Sequence, residues 1–336
     1  MNETNVEVNP VPEAKLEVRK STLKRIFSWT IRNLKFMLIP MSRIKDLSAR
    51  QFEFEKIKSK RNFLQRLRSP LTILGIGLIF FIVTLAVFAP WLSPYTFKQL
   101  TAFLSPAYGP MSPAHPFGTG ESGRDILGRC IYGARSSLTI ALPAILISVI
   151  TGVIFGIIAG YYGRWIDTLI MRITDVLLAF PPLIFALVLV GAFGPKIEMI
   201  IAIYGLLGAP FYARLVRGSV LQAKELPYVE AARVMGASNW RIMFRHILPN
   251  CISPVIISFS FDIGGIILGL AGLSFLGFGD QRLIEWGNDI NKGRFYLYAA
   301  PWASFFPGLM IFITVLAFML VGDGLRDAFD PRLKNL

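Results

Sequence analysis

The sequence predicts an all-α, polytopic membrane protein with six transmembrane helices, and three observations carry that prediction. First, the 336 residues are 54% hydrophobic and only 17% charged, with a mean hydropathy of +0.55. Soluble domains run at about 45–50% apolar and about 25% charged residues. Second, the apolar residues gather into runs long enough to cross a bilayer, which takes about 20 residues per helix. Third, the formal net charge of +14 is unevenly placed, with sixteen Lys/Arg against seven Asp/Glu in residues 1–69. Together these exclude a disordered chain, a disulfide scaffold and a soluble nucleic-acid-binding domain.

Residues 1–69 form a basic extension, expected to be cytoplasmic. Within it, residues 21–39 mix Ile26, Phe27, Ile31, Leu34 and Leu38 with Lys24, Arg25, Arg32 and Lys35. That density of charge forbids a span and predicts an amphipathic helix on the inner leaflet; a partly disordered tail is the alternative. Residues 51–69 are expected as an elbow helix leading into the membrane. No apolar stretch with a small-residue cleavage site opens the chain, so no secretory signal peptide is expected.

The six predicted spans cover 71–93, 137–160, 170–193, 198–213, 253–278 and 302–322, within a membrane portion from 70 to 336. Pro143, Pro181, Pro182 and Pro210 fall inside them, where neighbouring helices can satisfy the freed backbone groups. With the N-terminus inside, 27 of the 35 Lys/Arg lie on the inner side, as the positive-inside rule requires. Both termini are therefore expected in the cytoplasm. Residues 94–136 become an external loop and residues 214–251 a long internal one. The internal loop reads as two short helices, 224–235 and 238–247. A break at Gly236 suits a left-handed residue, Ser238 caps the second helix, and Pro249 is expected to end it.

Few side chains offer chemistry. Cys130 and Cys251 have no metal or redox spacing and read as small apolar core residues. His115 and His246 are too far apart in sequence to suggest a zinc site or a triad, so no catalytic residue and no metal site are expected. Asp262 stands mid-span, where a carboxylate costs ~2.5–3.5 kcal/mol on insertion scales and must face protein or water. Two readings stay open for it. It lines a substrate pathway and meets a peptide's amino group, or it makes an interhelical hydrogen bond with Ser258, Ser260 or a partner subunit. Arg172 and Asp175, three apart on one helical face, are placed to pair locally, and a snorkelling structural role is the favoured reading. Trp286 and Trp302 read as interfacial anchors or docking contacts, with anchoring favoured because Trp is enriched at membrane boundaries. Gly152, Gly156 and Gly160, with Gly265 and Gly269, are spaced for close helix packing.

The internal loop carries the most specific pattern: Tyr228, Glu230, Ala231, Ala232, Arg233, Gly236, Ala237 and Ser238, followed by Leu248-Pro249. Glu-Ala-Ala, Gly and Leu-Pro at these spacings resemble the coupling loop of permease subunits in binding-protein-dependent ABC importers. His115-Pro116-Phe117-Gly118-Thr119 with Gly123-Arg124-Asp125 resembles the dipeptide, oligopeptide and nickel branch. Gly322-Asp323-Gly324 through Asp330-Pro331-Arg332-Leu333 does so too. The resemblance spans about 70–335, and Gly120 departs from it where an acidic residue is common.

The resemblance implies a six-helix permease fold in a prokaryotic inner membrane. The implied partners are a homologous second permease subunit, two ATPase subunits that bring ATP and Mg, an extracytoplasmic substrate-binding protein and membrane lipid, without nucleic acid. The eight loop residues would dock on the ATPase. No Gly-x-x-x-x-Gly-Lys-Ser/Thr occurs in the sequence, so nucleotide hydrolysis is expected in those partners and not in this chain. Peptide import is the expected function. Nickel-chelate or oligosaccharide import, an ion-coupled transporter or channel using Asp262, and a membrane-embedded enzyme are the alternatives.

Overall fold

The computed structural model describes residues 69–102 and 106–329. The expected amphipathic helix at 21–39, the elbow helix up to residue 68 and the Asp330-Pro331-Arg332-Leu333 stretch lie outside those residues. Among the described residues all regular secondary structure is helical, apart from an isolated bridge between Thr119 and Asp125.

Helix α1 (Pro70–Val87) starts where the Ser69 hydroxyl accepts the Thr72 amide at 3.2 Å, with Pro70 in the first turn, where its missing N–H costs nothing. Helix α2 (Ile126–Tyr162) is twice as long as a span requires. It takes in the end of the expected external loop, because Asp125 caps it by accepting the Gly128 amide at 2.7 Å. Helix α5 (Ile197–Ala223) likewise overruns its predicted end at 213, so the internal loop is shorter than expected. Ser148 ties the two together, donating to the Gly205 carbonyl at 2.9 Å. A Cβ on Gly156 would sit 2.6 Å from the Ala213 carbonyl oxygen, and one on Gly160 would sit 2.8 Å from the Val220 Cβ. The glycine stripe thus sets a close α2–α5 approach within this chain. Gly265 meets nothing within 4 Å, so its predicted packing role is not seen.

The third predicted span is not one straight helix. Helices α3 (Arg164–Leu178) and α4 (Pro182–Phe193) meet at a bend of 86°. Pro181 and Pro182 bring no N–H donors to the break, and the residue before a proline is pushed out of the helical region. Five helices are long and apolar enough to cross a membrane by themselves, and the bent pair makes a sixth if counted as one span. The expected Arg172–Asp175 pair is also replaced. Asp175 accepts from Arg214 at 2.6 Å, and Asp167 is gripped by Arg217 through both oxygens, one at 2.6 Å. Both pairs pin α3 to α5.

Helix α7 (Asn239–Phe275) runs for 37 residues without interruption and is long and apolar enough to cross a membrane. Pro249 does not end it. A π-helical turn at Ile242–Ile247 widens the ladder just ahead of the proline, and the Leu248 amide bonds Met243. The wider turn relieves the clash and missing bond that proline imposes on an α-helix. Helix α8 (Trp286–Gly293) and helix α9 (Trp302–Phe329) follow. Helix α9 packs on α1 and α7, and α8 packs against α7, α9 and the N-terminal end of α2. Phe80, Ile150, Phe155, Val188, Phe193 and Phe312 are exposed at or above one third, an apolar exterior suited to lipid or other helices rather than water.

Candidate functional site

Between α5 and α7 lies a short helix α6 (Pro227–Val234). Pro227 occupies its first turn, and Val229 is its anchor, fully buried against the core. The helix closes with a complete two-bond cap. The Gly236 amide bonds the Arg233 carbonyl at 3.0 Å, and the Ala237 amide bonds Ala232 at 3.1 Å. Gly236 has φ +77, a conformation that costs other L-residues about 1–2 kcal/mol. Ser238 then caps α7, accepting the Arg241 amide at 3.4 Å. The glycine break and the serine cap thus form as the sequence predicts.

The predicted loop residues fall on two faces. Tyr228, Glu230, Ala231, Arg233, Gly236 and Ser238 are exposed. Ala232 and Ala237 are half-buried and pack against the core. Asn250 donates to the Tyr228 hydroxyl at 3.3 Å, which fixes α6 to the start of the membrane portion of α7. Glu230 lies in the first turn of α6, where a carboxylate suits the helix dipole, and no ion pair among the described residues engages it. Sequence reasoning left Val234, Met235 and Trp240 unassigned, yet they are 82%, 85% and 64% exposed beside these residues. The signal was present. Large apolar residues on a polar internal loop have no lipid to cover them and mark a protein contact.

Inside the membrane portion, Asp262 accepts a hydrogen bond from the Tyr212 hydroxyl at 2.6 Å. Tyr212 on α5, not Ser258 or Ser260, is therefore the interhelical partner. The pair borders a cavity of about 540 Å³ between α2, α4, α5 and α7.

The opposite end is a folded cap. His115 Nδ1 lies 3.0 Å from the Asp125 carboxylate, so the histidine motif buttresses the start of α2. Arg129 and Asp289 form a buried ion pair at 2.6 Å, and Arg129 also donates to the Leu100 carbonyl at 3.0 Å. Trp286 is no interfacial anchor. It is fully buried, donating to the Cys130 carbonyl at 3.0 Å with its indole against Gly133. Trp302 is half-buried and donates to Thr119 at 3.1 Å. Both indoles face protein because the cap folds over them. Burial pushes the Glu285 carboxyl up to about 7, against the pull of the Ser274 hydroxyl and the Gly287 and Asn288 amides. Cys130 and Cys251 are free and buried. No group of three His, Cys, Asp or Glu among the described residues is placed to hold a metal ion.

Five or six helices of bilayer length define a multi-pass helical membrane protein. The chain belongs to the family of binding-protein-dependent transport system inner membrane components, whose model matches residues 152–335. Residues 61–106 match the N-terminal transmembrane domain of oligopeptide transport permease C. A dipeptide transport system permease protein of Alkalihalophilus pseudofirmus is 41% identical over 274 residues, 81% of this chain and 90% of that protein. A glutathione transport system permease protein of Pectobacterium atrosepticum is 40% identical over 303 residues, covering 90% and 98%. Among solved structures, a chain of the MetNI methionine ABC transporter aligns with TM-score 0.50 at 17% identity, over 60% of this chain and 97% of that one. That likeness concerns the fold.

Proposed function

We propose that this chain is the permease subunit of an ATP-driven importer that carries di- or oligopeptides into the cytoplasm by alternating access. The observation that carries the coupling part is α6, a rigidly capped helix whose anchor is buried and whose tip is apolar and exposed. Such a knob has the shape and chemistry to seat in a partner's groove. The partners in this reading are a homologous second permease, two ATPase subunits that bind ATP and Mg, and an extracytoplasmic binding protein. The membrane is the prokaryotic inner membrane, with both termini, the 1–69 extension and the 214–251 loop in the cytoplasm and the cap outside. The permease portion is 70–336, and the chain itself makes and breaks no covalent bond. Peptide cargo is supported by the similarity to dipeptide and glutathione transport permeases.

Closure of the ATPase pair on ATP would push α6, and the continuous α7 behind it would carry that displacement to the spans. The permease pair is then a two-state element biased by nucleotide on one side and binding protein on the other. Glu230→Lys and Gly236→Pro test this in membrane vesicles. Both variants should insert normally and keep ATP hydrolysis by the complex while peptide uptake falls about tenfold or more, the scale of a lost interface hot spot. Uptake at the unmodified rate in both would refute the coupling role.

A further inference from the structure

The cavity beside Asp262 has the composition of a binding site rather than of a packing defect. Its walls are apolar, including Ile145, Leu183, Leu207 and Ile266, with few polar groups placed among them. Its mouth is open, since Phe211 and Leu268 are 45% and 56% exposed. The polar groups divide into those already committed and those left over. The Ser148 hydroxyl is spent on backbone carbonyls of α2 and α5. Tyr212 is spent on Asp262. Left over are the second oxygen of Asp262, given no hydrogen bond among the described residues, and the Tyr204 hydroxyl. Tyr204 is 8% exposed, and its hydroxyl has no partner among the described residues. Leaving a buried hydroxyl unpaired is unfavourable, and a ligand oxygen would relieve it.

The two leftover groups are spaced along α7. The Tyr204 hydroxyl would lie 3.2 Å from a Cβ on Gly269. Gly269 is seven residues beyond Asp262 on the same face of the helix, about 10 Å along its axis. One small ion cannot touch both. A calcium-like cation is also poorly served, because it needs about six to eight oxygen ligands. An extended peptide rises about 3.4 Å per residue, so three residues bridge that distance. Its ammonium group offers three donors to a carboxylate, and its main-chain oxygens accept from a phenol.

We propose that this cavity is a peptide subsite in which Asp262 takes a primary ammonium group and the Tyr204 hydroxyl donates to a main-chain carbonyl or carboxylate oxygen about three residues further along. Phe211 and Tyr212 add aromatic rings near the cation. The inference rests on the peptide-importer reading and names the groups of the substrate that the membrane portion recognises.

Cysteine protection in membrane vesicles containing the assembled complex tests it without ATP or binding protein. Coupling therefore does not enter the readout, and a failure of the α6 reading would leave the result unchanged. Gly265→Cys places a thiol on the cavity wall where a Cβ meets nothing within 4 Å, and Leu268→Cys at the mouth serves if the first variant assembles poorly. Millimolar tri-alanine should slow modification by methyl methanethiosulfonate, and N-acetyl-tri-alanine should protect about tenfold less, the worth of one charge-assisted hydrogen bond. Asp262→Asn should abolish the difference between the two peptides. Tyr204→Phe should weaken protection by tri-alanine but not by propylamine, which has no main-chain oxygen. Protection by Nα-acetyl-lysine amide would assign the ammonium to a side chain as well as to an N-terminus, and supports the subsite equally. Equal protection by the free and acetylated peptides, protection that survives Asp262→Asn, or protection by sodium chloride alone would each overturn it.

Discussion

Two buried acidic residues in the cap behave differently because their partners differ. Asp289 has Arg129, with side-chain exposures of 6% and 5% and a separation of 2.6 Å. Arg129→Ala strands that carboxylate away from water, which costs about 3–5 kcal/mol when a buried pair loses one member. Thermal unfolding of the purified protein should show the loss, and the double variant Arg129→Met/Asp289→Leu should recover most of it. A double variant as unstable as the single would mean that packing, not charge, carries the effect. Glu285 has no cation partner among the described residues; its carboxylate accepts the Asn288 amide at 3.1 Å, and the Asp289 charge opposes its ionisation. Its carboxyl is raised from 4.5 to about 7, so the folded chain holds a proton that the unfolded chain releases. Its contribution to stability is complete below about pH 4.5 and is lost as pH rises through about 7, up to about 3 kcal/mol. Glu285→Gln should flatten that part of the stability–pH curve, and an unchanged slope would place the titration elsewhere.

At the scale of elements, α2 and α5 are set by absence of side chain. Gly156 lies where any Cβ would press on the Ala213 carbonyl, and its neighbour Gly152 faces Tyr212, the residue that holds Asp262. Gly156→Val must part the helices, at an overpacking cost of about 1–3 kcal/mol. The same displacement moves Tyr212 away from Asp262. The expected outcome is a lower unfolding temperature together with loss of peptide protection at the Asp262 cavity. A destabilised variant that keeps normal protection would separate the two effects and count against α5 as the positioning element. Proline acts oppositely in two other elements. At Pro181-Pro182 it breaks a span by 86°, whereas Pro249 is absorbed by a π-helical turn that keeps α7 continuous from the knob into the membrane. The continuity matters, because a broken α7 would transmit little displacement from α6.

For the whole molecule, the distribution of basic residues predicts which end faces which solution. Ser122 in the cap and Ser238 beside the knob are described, and both lie outside the spans. In sealed cells a membrane-impermeant maleimide should label Ser122→Cys and spare Ser238→Cys. Inverted vesicles should give the reverse. The opposite pattern in both preparations would invert the topology and remove the coupling assignment with it. The +14 charge would then need a different explanation from the positive-inside bias.

Much of this was legible in the sequence because it depends on local physics. Apolar run length gave the spans, and lysine and arginine counts predict their orientation. Glycine at 236 and serine at 238 marked a left-handed break and a helix cap, since only the local backbone decides those. What misled was local pattern standing in for distant contact. The three-residue spacing of Arg172 and Asp175 suggested a local pair, but Arg214 on another helix reaches Asp175 at 2.6 Å. Tryptophans near span ends suggested a lipid interface, but the cap folds over them and buries Trp286 completely. The serines near Asp262 suggested partners on its own helix, and the real donor is Tyr212, fifty residues away. The sequence by itself determined that this chain forms membrane-length helices and a loop broken at Gly236 and capped by Ser238, because hydropathy and turn chemistry are properties of short segments. Only the tertiary structure decided what surrounds each buried polar group, including the unpaired Tyr204 hydroxyl in the Asp262 cavity, because a buried group's partner is whichever helix packs against it.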